Sequence, residues 1–100
     1  MARRFEVLLH GSQFFIPVEG DECARGFYAI RRVQAGSVED AKRQALALLQ
    51  ADERFHSAME STKSETGGSG SVEIESVSEL SWFKWHFSRQ GSGFIFYSEP

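Results

Sequence analysis

The stretch GFYAIRRVQAGSVEDAKRQALALLQ, from Gly26 to Gln50, decides the fold class. Its first ten residues alternate. Phe27, Ala29, Arg31, Val33 and Ala35 fall on one face, Tyr28, Ile30, Arg32 and Gln34 on the other, which is the period of a strand. Both faces are mixed, as suits a central strand with a helix on one side and a partly wet surface on the other. Gly36 turns the chain and Ser37 is a good helix N-cap, with Asp40 three residues later in a near capping box. Glu39 and Asp40 meet the positive end of the helix dipole. Val38, Ala41, Ala45, Leu48 and Leu49 share one stripe at helical spacing, while Asp40, Arg43 and Ala47 face away. Glu39 and Arg43 form a favourable i,i+4 pair. Phe55 and Met59 prolong the stripe, so the helix is expected to run past Asp52. Alanines at 41 and 45 allow it to lie close on a sheet.

Upstream, Phe5, Val7 and Leu9 alternate with Arg4, Glu6, Leu8 and His10 as a strand with one dominant apolar face. Residues 13–18, QFFIPV, form a second extended run, with Phe14, Ile16 and Val18 on one side and Phe15 on the other. Pro17 lacks a donor and places this run at a sheet edge or strand end. The two runs make either a hairpin or one strand with an irregular return. Downstream, residues 61–71, STKSETGGSGS, read by composition as a loop. Val72, Ile74 and Val77 then make a strand with Glu73 and Glu75 on its outer face, and Gly93–Tyr97 is a last strand, apolar on both faces. Residues 78–90 fit two patterns. A helix capped by Ser78 would line up Leu80, Phe83 and Phe87, whereas a strand would set Phe83, Trp85 and Phe87 against Trp82, Lys84 and His86. The helix or an irregular turn is the expectation.

This order gives one domain over residues 1–100, of α+β class: an antiparallel sheet of four to five strands with one main helix packed on one face. A chain of 100 residues is long enough to bury a single core. The run RVQAGSVEDAKRQALALL, residues 32–49, resembles the small uncharacterised bacterial α+β proteins of ferredoxin-like type, in which a strand passes through V-x-A into a capped, alanine-rich helix. The resemblance covers about a third of the chain and implies a ferredoxin-like sandwich or a variant of it. It brings no catalytic residues.

Charge and motifs narrow the function by exclusion. The net charge is −3, with seven Lys/Arg against six Asp/Glu in the first half and four against eight in the second. Neither half offers the basic excess of a nucleic-acid surface, so base stacking around Arg31, Arg32 and the tryptophans is disfavoured. Those arginines read instead as one facing solvent and one paired across the sheet with Glu73 or Glu75. His10, His56 and His86 are scattered, without the clustered partners a metal site requires. A lone cysteine, Cys23, excludes an internal disulfide, and the acids beside it argue against a reactive thiol. There is no G-x-S-x-G elbow and no GK[ST] after the glycines of TGGSGS. No cofactor motif is present. No apolar stretch reaches the roughly 20 residues of a membrane span, and the apolar run near the start is too short for a signal peptide. The simplest location is cytoplasmic.

What remains is aromatic. Nine phenylalanines in 100 residues exceed ordinary usage, and Trp82, Phe83, Trp85, Phe87, Phe94, Phe96 and Tyr97 gather near the C-terminal end. Large aromatic side chains dominate cores and interfaces alike. We expect a non-enzymatic domain that forms a homodimer and acts as a binding or regulatory module, with a protein partner, and with Trp82, Trp85, His86, Phe96 and Tyr97 as binding or interface residues. The rival is a small dimeric ferredoxin-like enzyme or ligand-binding protein, with an aromatic pocket between helix and sheet lined by His86 or His10.

Overall fold

A computed structural model describes residues 3–17, 23–81, 84 and 94–97. The elements run β1 (Arg3–Ser12), β2 (Ile16–Pro17), β3 (Cys23–Ala24), β4 (Gly26–Ala35), α1 (Val38–Gln50), α2 (Glu53–Thr66), β5 (Ser71–Glu79) and β6 (Phe94–Tyr97). Four strands form one antiparallel sheet in the order β5-β1-β4-β6, and β2 pairs with β3 in a small separate ladder. The α+β class with a four-stranded antiparallel sheet therefore holds. α1 and α2 fall between β4 and β5, and among the described residues β1 leads through β2 and β3 into β4 with no intervening helix.

Alternation assigns the faces as the sequence indicates. Phe5, Val7 and Leu9 of β1 and Phe27, Ala29, Val33 and Ala35 of β4 are buried toward the helices. In β5 the register slips between Leu8 and Leu9 of its partner strand. That bulge puts Val72, Ile74 and Val77 all against the core although their spacing is not strictly two. Ala41, Ala45 and Leu49 of α1 lie on the sheet, where their small size permits close approach. Phe27 sits at the centre of a ring cluster, stacked on Phe94 at 4.7 Å and edge-on to Phe14 at 5.1 Å and Phe55 at 6.2 Å.

Several local expectations are corrected. Among the described residues there are two helices, not one main helix. The chain breaks at Ala51 and Asp52, and Asp52 caps α2 by accepting from the Arg54 N–H at 2.8 Å. Residues 61–66 are helical, not loop, and only 67–70 lie between α2 and β5. Phe55, Ala58 and Thr62 supply the buried stripe. The Thr62 hydroxyl donates to the Ala58 carbonyl at 2.8 Å and accepts the Phe15 N–H at 2.9 Å, and so ties α2 to the segment after β1. Gly67 ends the helix in the left-handed region, at φ 75°.

On α1, Leu48 is 48% exposed and Val38 39% exposed, while Leu46 packs on the core. The stripe is centred between Ala45 and Leu49 and leans toward Leu46. Val38 stands in the first turn, at the margin of the sheet. Arg43 pairs with Asp40, and Lys42 with Glu39 at 3.5 Å, in place of the expected Glu39–Arg43 pair. The run 13–17 does not return along β1 as a hairpin. Gln13, at φ 61°, turns the chain away, and Phe14 donates its N–H to the Arg25 carbonyl at 3.1 Å. Ser78 belongs to β5 and caps no helix. The helix-or-strand question for 82–83 and 85–90 lies outside the described residues.

Candidate functional site

The helices cover one face of the main sheet. The other face is set by the even residues of β1 and β4, Leu8, His10, Tyr28 and Ile30, joined by Ile95 and Tyr97 of β6. Tyr28 pairs in register with Ile95 on one side and with His10 on the other. The His10 ring stacks on Tyr28 at 4.5 Å and nearly parallel. Its Nδ1 lies 3.0 Å from a Glu75 carboxylate oxygen and its Nε2 2.6 Å from the Tyr97 hydroxyl. An ionised carboxylate only accepts, so Nδ1 donates to Glu75, while Nε2 shares a hydrogen bond with the Tyr97 hydroxyl, which also lies 3.4 Å from the Gly11 carbonyl oxygen as its donor. With both ring nitrogens engaged, the imidazole is fixed in orientation. The bond chain joins three strands, β5, β1 and β6, across the intervening β4.

Gly26 makes this possible. A Cβ there would land on the Tyr97 hydroxyl and on the Gly11 carbonyl oxygen. The bare backbone lets the Tyr97 ring lie across β4 to reach His10. Gly26→Ala is expected to cost about 1–3 kcal/mol, as other overpacking changes do. Tyr97→Phe, which removes the hydroxyl's contacts with His10 and the Gly11 carbonyl, should cost nearer ~1 kcal/mol. Urea melts of both variants check the order, and a smaller loss for Gly26→Ala would mean that the ring can lie elsewhere.

Phe96 points the other way. It pairs with Phe27 on the helix side of the sheet, is 37% exposed, and lines a groove of about 540 Å³ with Ile16, Pro17, Ser57, Ala58 and Ser61. Glu53 and Arg54 also border this groove. Two of the expected site residues, Phe96 and Tyr97, thus serve opposite faces. Trp82, Trp85 and His86 lie outside the described residues. Phe94, also from the aromatic run, packs internally on Phe27.

The two central arginines are both paired, and not with the partners expected from sequence. Arg32 donates to Glu6 on the neighbouring strand at 3.1 Å. Arg31, only 6% exposed, reaches from β4 to the junction of the helices and donates to Asp52 at 2.8 Å and to the Ile30 carbonyl at 2.7 Å. Asp52 also takes a forked pair of bonds from Arg54, at 3.0 and 2.7 Å. Hydrogen bonds from Arg54, together with the charges of Arg54 and Arg31, outweigh partial burial and pull the Asp52 carboxyl down from 3.8 to about 2. Burial draws the Arg31 guanidinium below its ordinary value against the attraction of Asp52. This is a structural knot: three charges pin the α1–α2 corner to the sheet. Glu73 and Glu75 do not take part. Nothing in the alternation pattern signals Asp52 as a partner, because it depends on where the helix corner lands.

Among the described residues no group of three or more His, Cys, Asp or Glu side chains is placed to hold a metal ion. No helix there is long and apolar enough to cross a membrane. Compared with known proteins, the chain matches no family model, no curated protein and no solved structure.

Proposed function

We propose that this protein is a non-catalytic binding module that forms a homodimer through the face of its sheet opposite α1 and α2. The observation that carries the reading is the Tyr28–Ile95 pair. Ile95 is 62% exposed and Tyr28 38% exposed, side by side on the face opposite α1 and α2. Leu8 and Ile30 extend the apolar surface around them. Such a surface costs free energy in water, and a second sheet packed about 10 Å away removes it. In the same reading the protein works in a bacterial cytoplasm.

Light scattering over a concentration series tests it. The expected mass is near twice the 11.3 kDa chain, and Ile95→Glu should weaken the dimer at least tenfold without unfolding the monomer, since the residue is exposed. A wild-type monomer at about 100 µM, or a dimer indifferent to Ile95→Glu, sinks the proposal. The groove beside Phe96 supports a second reading, as a site for a small, largely apolar ligand. Its volume lies within the usual range of roughly 300–1,000 Å³ for such sites, and Phe96→Ser should abolish ligand uptake there while leaving the oligomeric state unchanged.

A further inference from the structure

Tyr97, His10 and Glu75 stand in series on the face opposite α1 and α2. The Tyr97 oxygen lies 2.6 Å from Nε2 of His10, and Nδ1 lies 3.0 Å from the Glu75 carboxylate. A hydroxyl within hydrogen-bond reach of a base, with that base oriented by a third group, is the arrangement that activates a side-chain nucleophile. The chain has two tyrosines, and both meet the same imidazole in different ways. Tyr28 lies against the ring face, 4.5 Å between centres, where imidazole offers no lone pair, whereas Tyr97 meets a ring nitrogen. Tyr28 is also the more exposed, at 38%, while Tyr97 is half-buried. Exposure alone would make Tyr28 the more reactive phenol, and the contact with His10 reverses that order.

We propose that Tyr97 is a nucleophile, activated by His10, that accepts an acyl group from an uncharged activated ester. With Nδ1–H on Glu75, the neutral imidazole carries its lone pair at Nε2. The Tyr97 oxygen attacks the acyl carbon while its proton passes to Nε2, and Glu75 faces the imidazolium so formed. The carbonyl re-forms as the ester C–O bond breaks, and the departing alkoxide takes the proton from Nε2. The products are a tyrosine ester and an alcohol, with His10 neutral again. The surroundings select the charge of the reagent. Glu75 is bonded to His10 and Glu73 stands opposite it in register, so an anionic ester is repelled. Tyr28 and Ile95 offer an apolar surface beside the site, and Arg4 and the Glu6–Arg32 ion pair lie further along the sheet. One transfer per chain modifies the protein without turnover, and so goes beyond the binding role while remaining compatible with it.

The probe is p-nitrophenyl acetate, reacted with the full chain at the lowest concentration of the scattering series, because the proposed dimer covers this face. Peptide mapping should place the acetyl group on Tyr97 at least about tenfold faster than on Tyr28. His10→Gln keeps a polar side chain without a basic nitrogen. It should slow Tyr97 about a hundredfold, as loss of a general base does, and leave Tyr28 within about twofold. The rate at Tyr97 should level off near neutral pH in the unaltered chain, where histidine has lost its proton, and climb on into alkali in His10→Gln. Glu75 acts through His10 as a positioning residue: Glu75→Ala should slow Tyr97 about tenfold, and Glu75→Gln, which keeps an acceptor for Nδ1, should restore most of the rate. Circular dichroism checks the fold of each variant; if His10→Gln does not fold, the ratio of Tyr97 to Tyr28 in the unaltered chain decides alone. No acetyl on Tyr97, acetylation of Tyr28 as fast as Tyr97, or a Tyr97 rate that survives His10→Gln overturns the proposal.

Discussion

Replacing Asp52 by alanine is expected to destabilise the fold by about 3–5 kcal/mol, the range found when one partner of a buried ion pair is removed. Arg31 is buried, with its guanidinium aimed at Asp52, and the truncation removes the carboxylate that this charge and Arg54 share. Loss of the α2 cap adds about 1 kcal/mol. Asp52→Asn keeps an acceptor for the Arg54 N–H and discards only the charge, so it should lie between wild type and alanine. The double variant Arg31→Met, Asp52→Ala should recover much of the loss, since an apolar replacement of a buried pair is often near neutral. Denaturant midpoints of the four proteins give the coupling directly. An alanine variant within about 1 kcal/mol of wild type would show that water reaches Arg31 freely.

The same knot makes a pH prediction with a definite sign. The folded carboxyl of Asp52 titrates at about 2, below its ordinary 3.8. A depressed acid contributes stability above its unfolded value and loses it as the pH falls toward the folded one. The gap in urea midpoint between wild type and Asp52→Asn should therefore be full at pH 5 and close between about pH 4 and pH 2. A gap that stays constant over that window would separate the stabilisation from the charge of Asp52.

Phe27→Ala is the second large effect, expected at about 3–5 kcal/mol for a fully buried ring. The ring lies flat across β1 at Gly11, where any Cβ would strike it, and Phe14, Phe55 and Phe94 hold it on the other sides. It cannot move aside. Gly11→Ala alone should therefore cost about 1–3 kcal/mol by overpacking. In the Phe27→Ala background the same change should cost almost nothing, because it enters the space the ring has left. The cycle is measured by thermal or urea melts, and additive losses would show that the two positions do not share that volume.

Much of the architecture was legible because it rests on period. The alternation of Phe5, Val7 and Leu9, the mixed faces of 26–35, and the Ser37 cap are local signals that only one kind of element satisfies. The second helix was hidden because STKSET is polar and rich in residues that also suit turns. Its helicity rests on Phe55, Ala58 and Thr62 finding the core, and on Thr62 bonding to Ala58 within the helix and to Phe15 outside it. The bulge in β5 was visible only as an uneven spacing between Ile74 and Val77.

The candidate sites depended on register rather than period. Parity along each strand places His10, Tyr28, Ile95 and Tyr97 on alternate positions, yet it does not say which strands adjoin or how far each is slid. Tyr97 and Phe96 stand one residue apart and serve opposite faces because a strand turns each successive side chain over. Arg31 found Asp52 rather than a glutamate across the sheet because the α1–α2 corner comes down over β4. By itself the sequence determined the long strands β1, β4 and β5, the apolar face of β1 and the start of α1, all of which follow from interactions within a few residues. Tertiary structure alone decided the pairing of charges, the tyrosine–histidine–glutamate chain and the groove beside Phe96, since each joins residues far apart in the chain whose meeting is set by strand order and packing.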